Sequence, residues 1–180
     1  MGVSVVIETM LGQIEIAVDA HRAPASARAF LTRVDDGSLA RRGAFYRVVR
    51  KENDFAGPAI DVVQGGLLGP VQAVGAVIPH ESTRLTGLHH VDGTVSFARA
   101  GSANASGRAF FICIGTQPAL DAGGVRNADG QGFAAFARVE AGMEVVRAIH
   151  DLPTCKDPAS GLTAGQLLID PVRMLRVERS

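Results

Sequence analysis

A chain of 180 residues, 47% of them hydrophobic, is long enough to close one full core, and a single domain over residues 1–180 is its simplest reading. Its 18 Lys and Arg offset its 18 Asp and Glu, so no net field draws it to nucleic acid or to an anionic membrane. Two cysteines, Cys113 in an apolar run and Cys155 in a loop-like stretch, make neither a disulfide framework nor a metal-ligand spacing; with no leader-like or membrane-length apolar segment, a cytoplasmic protein without metal or cofactor is expected.

The chain opens with "VSVVIET" and "IEIAV" on either side of "MLGQ", the pattern of a β-hairpin with Gly12 in its turn. In "APASARAFLTRVDDG" the apolar positions Ala27, Phe30, Leu31 and Val34 recur with the helical period, between Pro24 at the start and Gly37 just past the end. Short β-like runs follow at "AFYRVV", "IDVVQGG", "GTVSFARA", "AFFICIG" and "FAAFARVE", each bounded by Gly, Pro, Asn or Asp. A second helix is predicted at "GMEVVRAIHD", and the imperfect alternation of "VRMLRVER" predicts a closing strand. Strands that follow one another without crossover helices exclude a parallel array. The expected fold is mainly β, a closed eight-stranded antiparallel barrel capped by two helices. Three loop stretches, 51–59, 66–90 and 122–131, are long enough to gate a groove.

Strand alternation sorts the candidates for chemistry. Phe45 and Arg47 point together, as do Val62 and Gln64, and as do Ala109 and Phe111. If Phe110, Ile112 and Ile114 fill the core, Phe111 faces a groove. Arg47 is the odd charge in an apolar strand, a pattern that by itself also fits a surface arginine. His89, His90 and Asp92 read as loop surface rather than as a metal cluster, because neighbours in extended chain point apart. Cys113 reads as a small buried hydrophobe.

The ordered set "FYR", "VVQGG", "VSFARAG", "AFFICIG", "ALD" and "FAAFARVEAGMEVV" resembles the cyclophilin family of peptidyl-prolyl cis-trans isomerases over nearly the whole chain. The most specific pieces are "QGG" at Gln64 to Gly66, "FFI" at Phe110 to Ile112, and the spacing from Phe136 to Val146. That resemblance implies the same barrel, an isomerase acting on X-Pro bonds of peptides and folding proteins, and no cofactor. It implies Arg47 as the catalytic arginine, Gln64 as the group that holds the substrate backbone, and Phe111 as the floor of the proline pocket. Phe45, Val62, Ala98, Arg99, Ala109, Leu120 and Phe133 fall at substrate-contacting positions.

Departures from the family pattern are Tyr46 for His, Asp61 for a pocket Phe, Arg99 for Asn, Ala109 for Gln, Ala119 for an aromatic, and Phe133 for His. With "NADGQGFAAF" they resemble a bacterial-like subfamily. Without an aromatic at Ala119, weak cyclosporin binding is expected. The implied partners are proline-containing peptides and unfolded or folding proteins, acted on by a monomer, and the rival reading is a cyclophilin-shaped module that binds such segments with little turnover.

Overall fold

The alternation at the start of the chain becomes a hairpin of β1 (Val3–Thr9) and β2 (Gly12–Val18) in a computed structural model that describes residues 2–69, 77–156 and 163–180. Val5 and Ile7 meet Ile16 and Ile14 across the hairpin, all fully buried. α1 (Pro24–Asp35) begins on Pro24, whose missing N–H is one no helix start can satisfy internally. It buries Ala27, Phe30, Leu31 and Val34 as its period predicts.

The N-cap residue of α1, Ala23, offers no side-chain acceptor. Glu81 serves instead from a distant loop: the amides of Ala25 and Ser26 donate to its two carboxylate oxygens at 2.9 and 2.8 Å. Its charge also meets the positive end of the helix dipole. Glu81→Ala is expected to cost about 1 kcal/mol, read as a Tm lower by about 2–4 °C in thermal denaturation. An unchanged Tm would mean that water caps this helix equally well.

Beyond a one-turn helix α2 (Ser38–Arg42) come β3 (Gly43–Val49), β4 (Val62–Leu67), a second short helix α3 (Thr83–Thr86), β5 (Thr94–Phe97) and β6 (Ala109–Cys113). A 3-10 turn at Pro118–Leu120 precedes β7 (Ala135–Ala141), α4 (Met143–His150), β8 (Leu167–Arg173) and β9 (Arg176–Arg179). Among the described residues every ladder is antiparallel, and the strands form one nine-stranded sheet in the order β8-β3-β4-β6-β5-β7-β2-β1-β9. Bulky rings fill its inside: Phe30 meets Phe110 edge-on at 5.5 Å, and Phe97 stacks on Phe136 at 4.6 Å.

The expected mainly β, antiparallel architecture holds, but in place of a closed eight-stranded barrel the described residues form a curled, open sheet of nine strands. The predicted closing strand "VRMLRVER" is two strands, and the bend between them explains its broken alternation. The amide of Met174 donates to Gly43 on β3, while the next amide, Leu175, donates to Glu8 on β1. Met174 and Val177 are both buried although they lie at opposite parity, because the chain turns between them. The predicted loop 66–90 contains the end of β4 and α3, and its residues 70–76 lie outside the described residues.

Candidate active site

Two cross-strand rows build one face of the sheet. Arg47 on β3 pairs in register with Gln64 on β4, and Gln64 with Phe111 on β6. Two residues further along, Val49 lies opposite Val62, and Val62 opposite Cys113. Residues directly opposite in adjacent strands project to the same side, so a cation, an amide and an aromatic ring stand in line over an apolar second row. Gly66, at φ 140°, lets β4 come this close to β6, because a Cβ there would collide with the backbone of Arg108 and Ala109.

Phe45 does not belong to this face. The register shifts between Phe45 and Arg47 against both neighbouring strands, so Tyr46 is the extra residue of a β-bulge. Strict alternation put Phe45 and Arg47 together; the bulge turns Phe45 into the core, fully buried and edge-on to Phe110 at 6.1 Å. Ala109 shares the Phe111 face but stands one step outside the hollow. The hollow itself, of about 110 Å³, is lined by Arg47, Val62, Gln64, Ala98, Arg99, Phe111, Leu120 and Phe133, and also by Val49, Ile60 and Arg126. It is small beside sites for drug-sized ligands, about 300–1,000 Å³, and suits a single ring.

The Arg47 guanidinium is held by neutral acceptors. Its Nη1 donates to Gln64 Oε1 at 2.8 Å, and its Nε and Nη2 donate to Gln166 Oε1 at 2.9 and 2.6 Å. Gln166, just before β8, is nearly fully buried and is fixed in turn by donating to Asn53 O at 2.9 Å. Among the described residues no carboxylate pairs with Arg47. Burial, and then the neighbouring charge of Arg126, lower its proton affinity from the ordinary arginine value, yet a guanidinium stays charged in proteins. Each terminal nitrogen keeps a second N–H for a ligand.

Arg126 and Asp54 make the wall beside Arg47. Arg126 donates in a fork to Asp54, Nη1 to Oδ2 at 2.7 Å and Nη2 to Oδ1 at 3.0 Å, and its backbone amide donates to Ala119 O at 3.2 Å. Asp54 Oδ2 also accepts from the amide of Ile60 at 3.0 Å, which sets that wall residue in place. Asp61, at the position of a pocket Phe in the resemblance, turns toward His150, 3.8 Å away, and Ile60 fills the wall instead. On the far side, Arg99 donates to Gly132 O at 2.7 Å and to Asp129 at 2.7 and 2.9 Å, and lies over the Phe133 ring at 5.4 Å.

Burial acts to raise the Asp54 carboxyl, but the hydrogen bonds and charge of Arg126 and the Ile60 amide outweigh it, and its pKa lies below the ordinary carboxylate value. A carboxyl depressed in the folded state stabilises fully above its unfolded value, about 3.9, and loses that contribution as pH falls through the lower folded one. Stability is therefore expected to fall below about pH 4, and the Tm of Asp54→Asn should fall less steeply there than the wild type's.

Behind Phe111, His90 corrects the expectation of a loop-surface histidine. It is fully buried, its Nδ1 is 2.6 Å from Asp121 Oδ1, and its Nε2 is 3.1 Å from Ser96 Oγ. Its ring stacks at 5.9 Å from Phe111, which meets Phe133 edge-on at 5.3 Å. Ser96, His90 and Asp121 have the connectivity of a nucleophile triad, but Ser96 and His90 are both 0% exposed; they support the hollow's floor from below. Asp92 pairs separately with Arg147 at 2.7 Å, and among the described residues no metal cluster forms. Cys113 is buried and Cys155 exposed. No described helix is long and apolar enough to cross a membrane.

Sequence reasoning missed Val49, Ile60 and Arg126 in the lining, and Gln166 behind Arg47. Two larger hollows, of about 470 and 430 Å³, lie on other faces and contain none of the Arg47, Gln64 and Phe111 row.

The family described as cyclophilin type peptidyl-prolyl cis-trans isomerase/CLD matches residues 4–177. Peptidyl-prolyl cis-trans isomerase A of Dickeya dadantii is 29% identical over 150 residues, 83% of this chain and 72% of that protein. Peptidyl-prolyl cis-trans isomerase cyp18 of Streptomyces antibioticus is 28% identical over 152 residues, 84% of this chain and 85% of that protein. Among solved structures, a cyclophilin type peptidyl-prolyl cis-trans isomerase of Cryptosporidium parvum superposes with a TM-score of 0.74 at 19% identity, covering 100% of this chain and 98% of that one. The same protein in the presence of the dipeptide Ala-Pro gives 0.72 at 19% identity over 98% of both chains. At that identity the superposition shows the fold.

Proposed function

The chain belongs to the cyclophilin-type peptidyl-prolyl cis-trans isomerase family, and on that premise we propose that it accelerates X-Pro rotation by donating a hydrogen bond from Arg47 to the prolyl nitrogen in the hollow floored by Phe111. The barrier to rotation is about 18–20 kcal/mol, because the planar amide must lose its resonance. As the bond twists, the nitrogen regains a localised lone pair and becomes an acceptor, which it is in neither ground state. An N–H of Arg47 aimed there binds the transition state alone, and only such differential binding accelerates the step.

One observation carries this reading: a cation without an acidic partner among the described residues, fixed by Gln64 and Gln166, stands at the edge of an apolar hollow of single-ring size. A charge-assisted hydrogen bond is worth about 1.5–3 kcal/mol, about ten- to a hundredfold in rate. The remainder falls to the hollow. Phe111, Leu120, Val62, Ile60 and Phe133 offer the less polar twisted amide a surface that water does not. Gln64 and the backbone at Ala98 and Arg99 are the groups to anchor one side of the bond while the other turns.

The substrates are proline-containing segments of peptides and folding proteins, and with Ala119 in place of an aromatic, cyclosporin binds weakly. A protease-coupled prolyl-peptide assay tests the reading. Gln166→Leu removes two of the three bonds that aim Arg47 and touches no substrate, so kcat is expected to fall about tenfold with KM little changed. A change confined to KM would assign Gln166 to binding and count against the role of Arg47.

A further inference from the structure

On another face of the sheet, residues 19–22 and the segment 87–91 flank a hollow of about 470 Å³. Its floor is open because the cross-strand row there is Ala17 on β2, Arg138 on β7 and Thr94 on β5, with small side chains on both sides of the arginine. Arg138 is exposed and makes no ion pair among the described residues; its pull is felt by Asp92, which is itself bonded to Arg147. Among the described residues the only lining carboxylate, Asp19, is taken up by Arg22, whose Nε and backbone amide donate to it at 2.6 and 2.8 Å. His21 stands on one rim. On the other is His89, its side chain 63% exposed, with Nδ1 3.0 Å from Asp121 and Nε2 without a partner among the described residues.

We propose that this hollow binds a small phosphomonoester with an apolar body, and that Asp121 relays its occupancy to the hollow beside Arg47. The volume lies in the range of small-molecule sites. Arg138 supplies a fixed charge and a fork suited to phosphate. A phosphomonoester titrates near neutral pH: its monoanion gives an imidazole nitrogen an O–H, and its dianion accepts from a protonated one, whereas an ionised carboxylate only accepts. Leu88, Val91 and Ala17 provide the apolar walls. For the relay, Asp121 accepts from His89 through Oδ2 and from His90 through Oδ1, and the His90 ring stacks on Phe111. A phosphate held by His89 alters its grip on Asp121, whose chain neighbour Leu120 walls the proline hollow. The effect on turnover rests on the function proposed above.

The test is a titration of the full chain with phenyl phosphate, followed by backbone amide and aromatic NMR, with inorganic phosphate and benzoate as comparators. Saturable shifts are expected at residues 17–22, 87–91, 94 and 138, with phenyl phosphate at least tenfold tighter than either comparator. Arg138→Met is expected to weaken it at least tenfold, and His21→Gln severalfold. Shifts that fail to saturate, map elsewhere or survive Arg138→Met overturn the site. Inorganic phosphate binding equally well overturns the apolar body, and benzoate binding equally well overturns the phosphate. Saturating phenyl phosphate is expected to move the Phe111 ring resonances and to change the isomerisation rate at least twofold in wild type but not in Arg138→Met. Binding with neither change overturns the relay. A wild type without isomerase activity would overturn the functional reading instead, and the Phe111 resonances would still decide the relay.

Discussion

Arg47→Ala is expected to lower kcat/KM for a prolyl peptide by about ten- to a hundredfold, the worth of one charge-assisted hydrogen bond made only in the transition state. The fold should survive, because Arg47 is only partly buried and its partners are the neutral side chains of Gln64 and Gln166. Neither is left as an uncompensated charge. Arg47→Lys is the sharper comparison. It keeps the cation but loses the planar fork that reaches both glutamines and still leaves N–H groups over, so it should recover little of the lost rate. A rate for Arg47→Ala within twofold of wild type, with unchanged circular dichroism, would remove this arginine from the mechanism.

Asp54→Ala should produce the largest loss of stability, about 3–5 kcal/mol, the cost of breaking a buried ion pair by removing one partner. The Asp54 side chain is 1% exposed and that of Arg126 11%, so neither is rescued by water. The same change orphans the Ile60 amide and frees that wall residue. Out of a total stability of about 5–15 kcal/mol, such a loss should be plain as a lower denaturation midpoint in urea, with kcat/KM reduced even where the protein is still folded. A midpoint shifted by less than about 1 kcal/mol would class this pair with surface ion pairs.

Much of this architecture is legible in the residues themselves. Pro24, Gly37 and the recurrence of Ala27, Phe30, Leu31 and Val34 mark out α1 within a residue or two, since capping and helical period are local properties. Gln64 and Phe111 fall on the groove side because β4 and β6 are regular where they pair. The same logic failed at Phe45, where the bulge at Tyr46 resets the alternation and nothing local announces it. It failed again at the terminal run, where a bend between Arg173 and Arg176 passes for poor alternation. Gln166 and Arg126 were invisible for another reason: Gln166 meets Arg47 across 119 positions and Arg126 meets Asp54 across 72. His90 was misread because its neighbours suggested a loop, while its partners, the buried Ser96 and the partly buried Asp121, come from two other segments.

The rims of the sheet, β8 and β9, are successive stretches of one chain joined by Met174 and Leu175. Until residues 167–179 have left the ribosome, β1 and β3 each present an unpaired row of backbone groups, the kind of edge that recruits foreign strands. A nascent chain halted before that point leaves β1 and β3 bare at once, and the arrival of a single ribbon covers both, moving the sheet's borders out to β8 and β9.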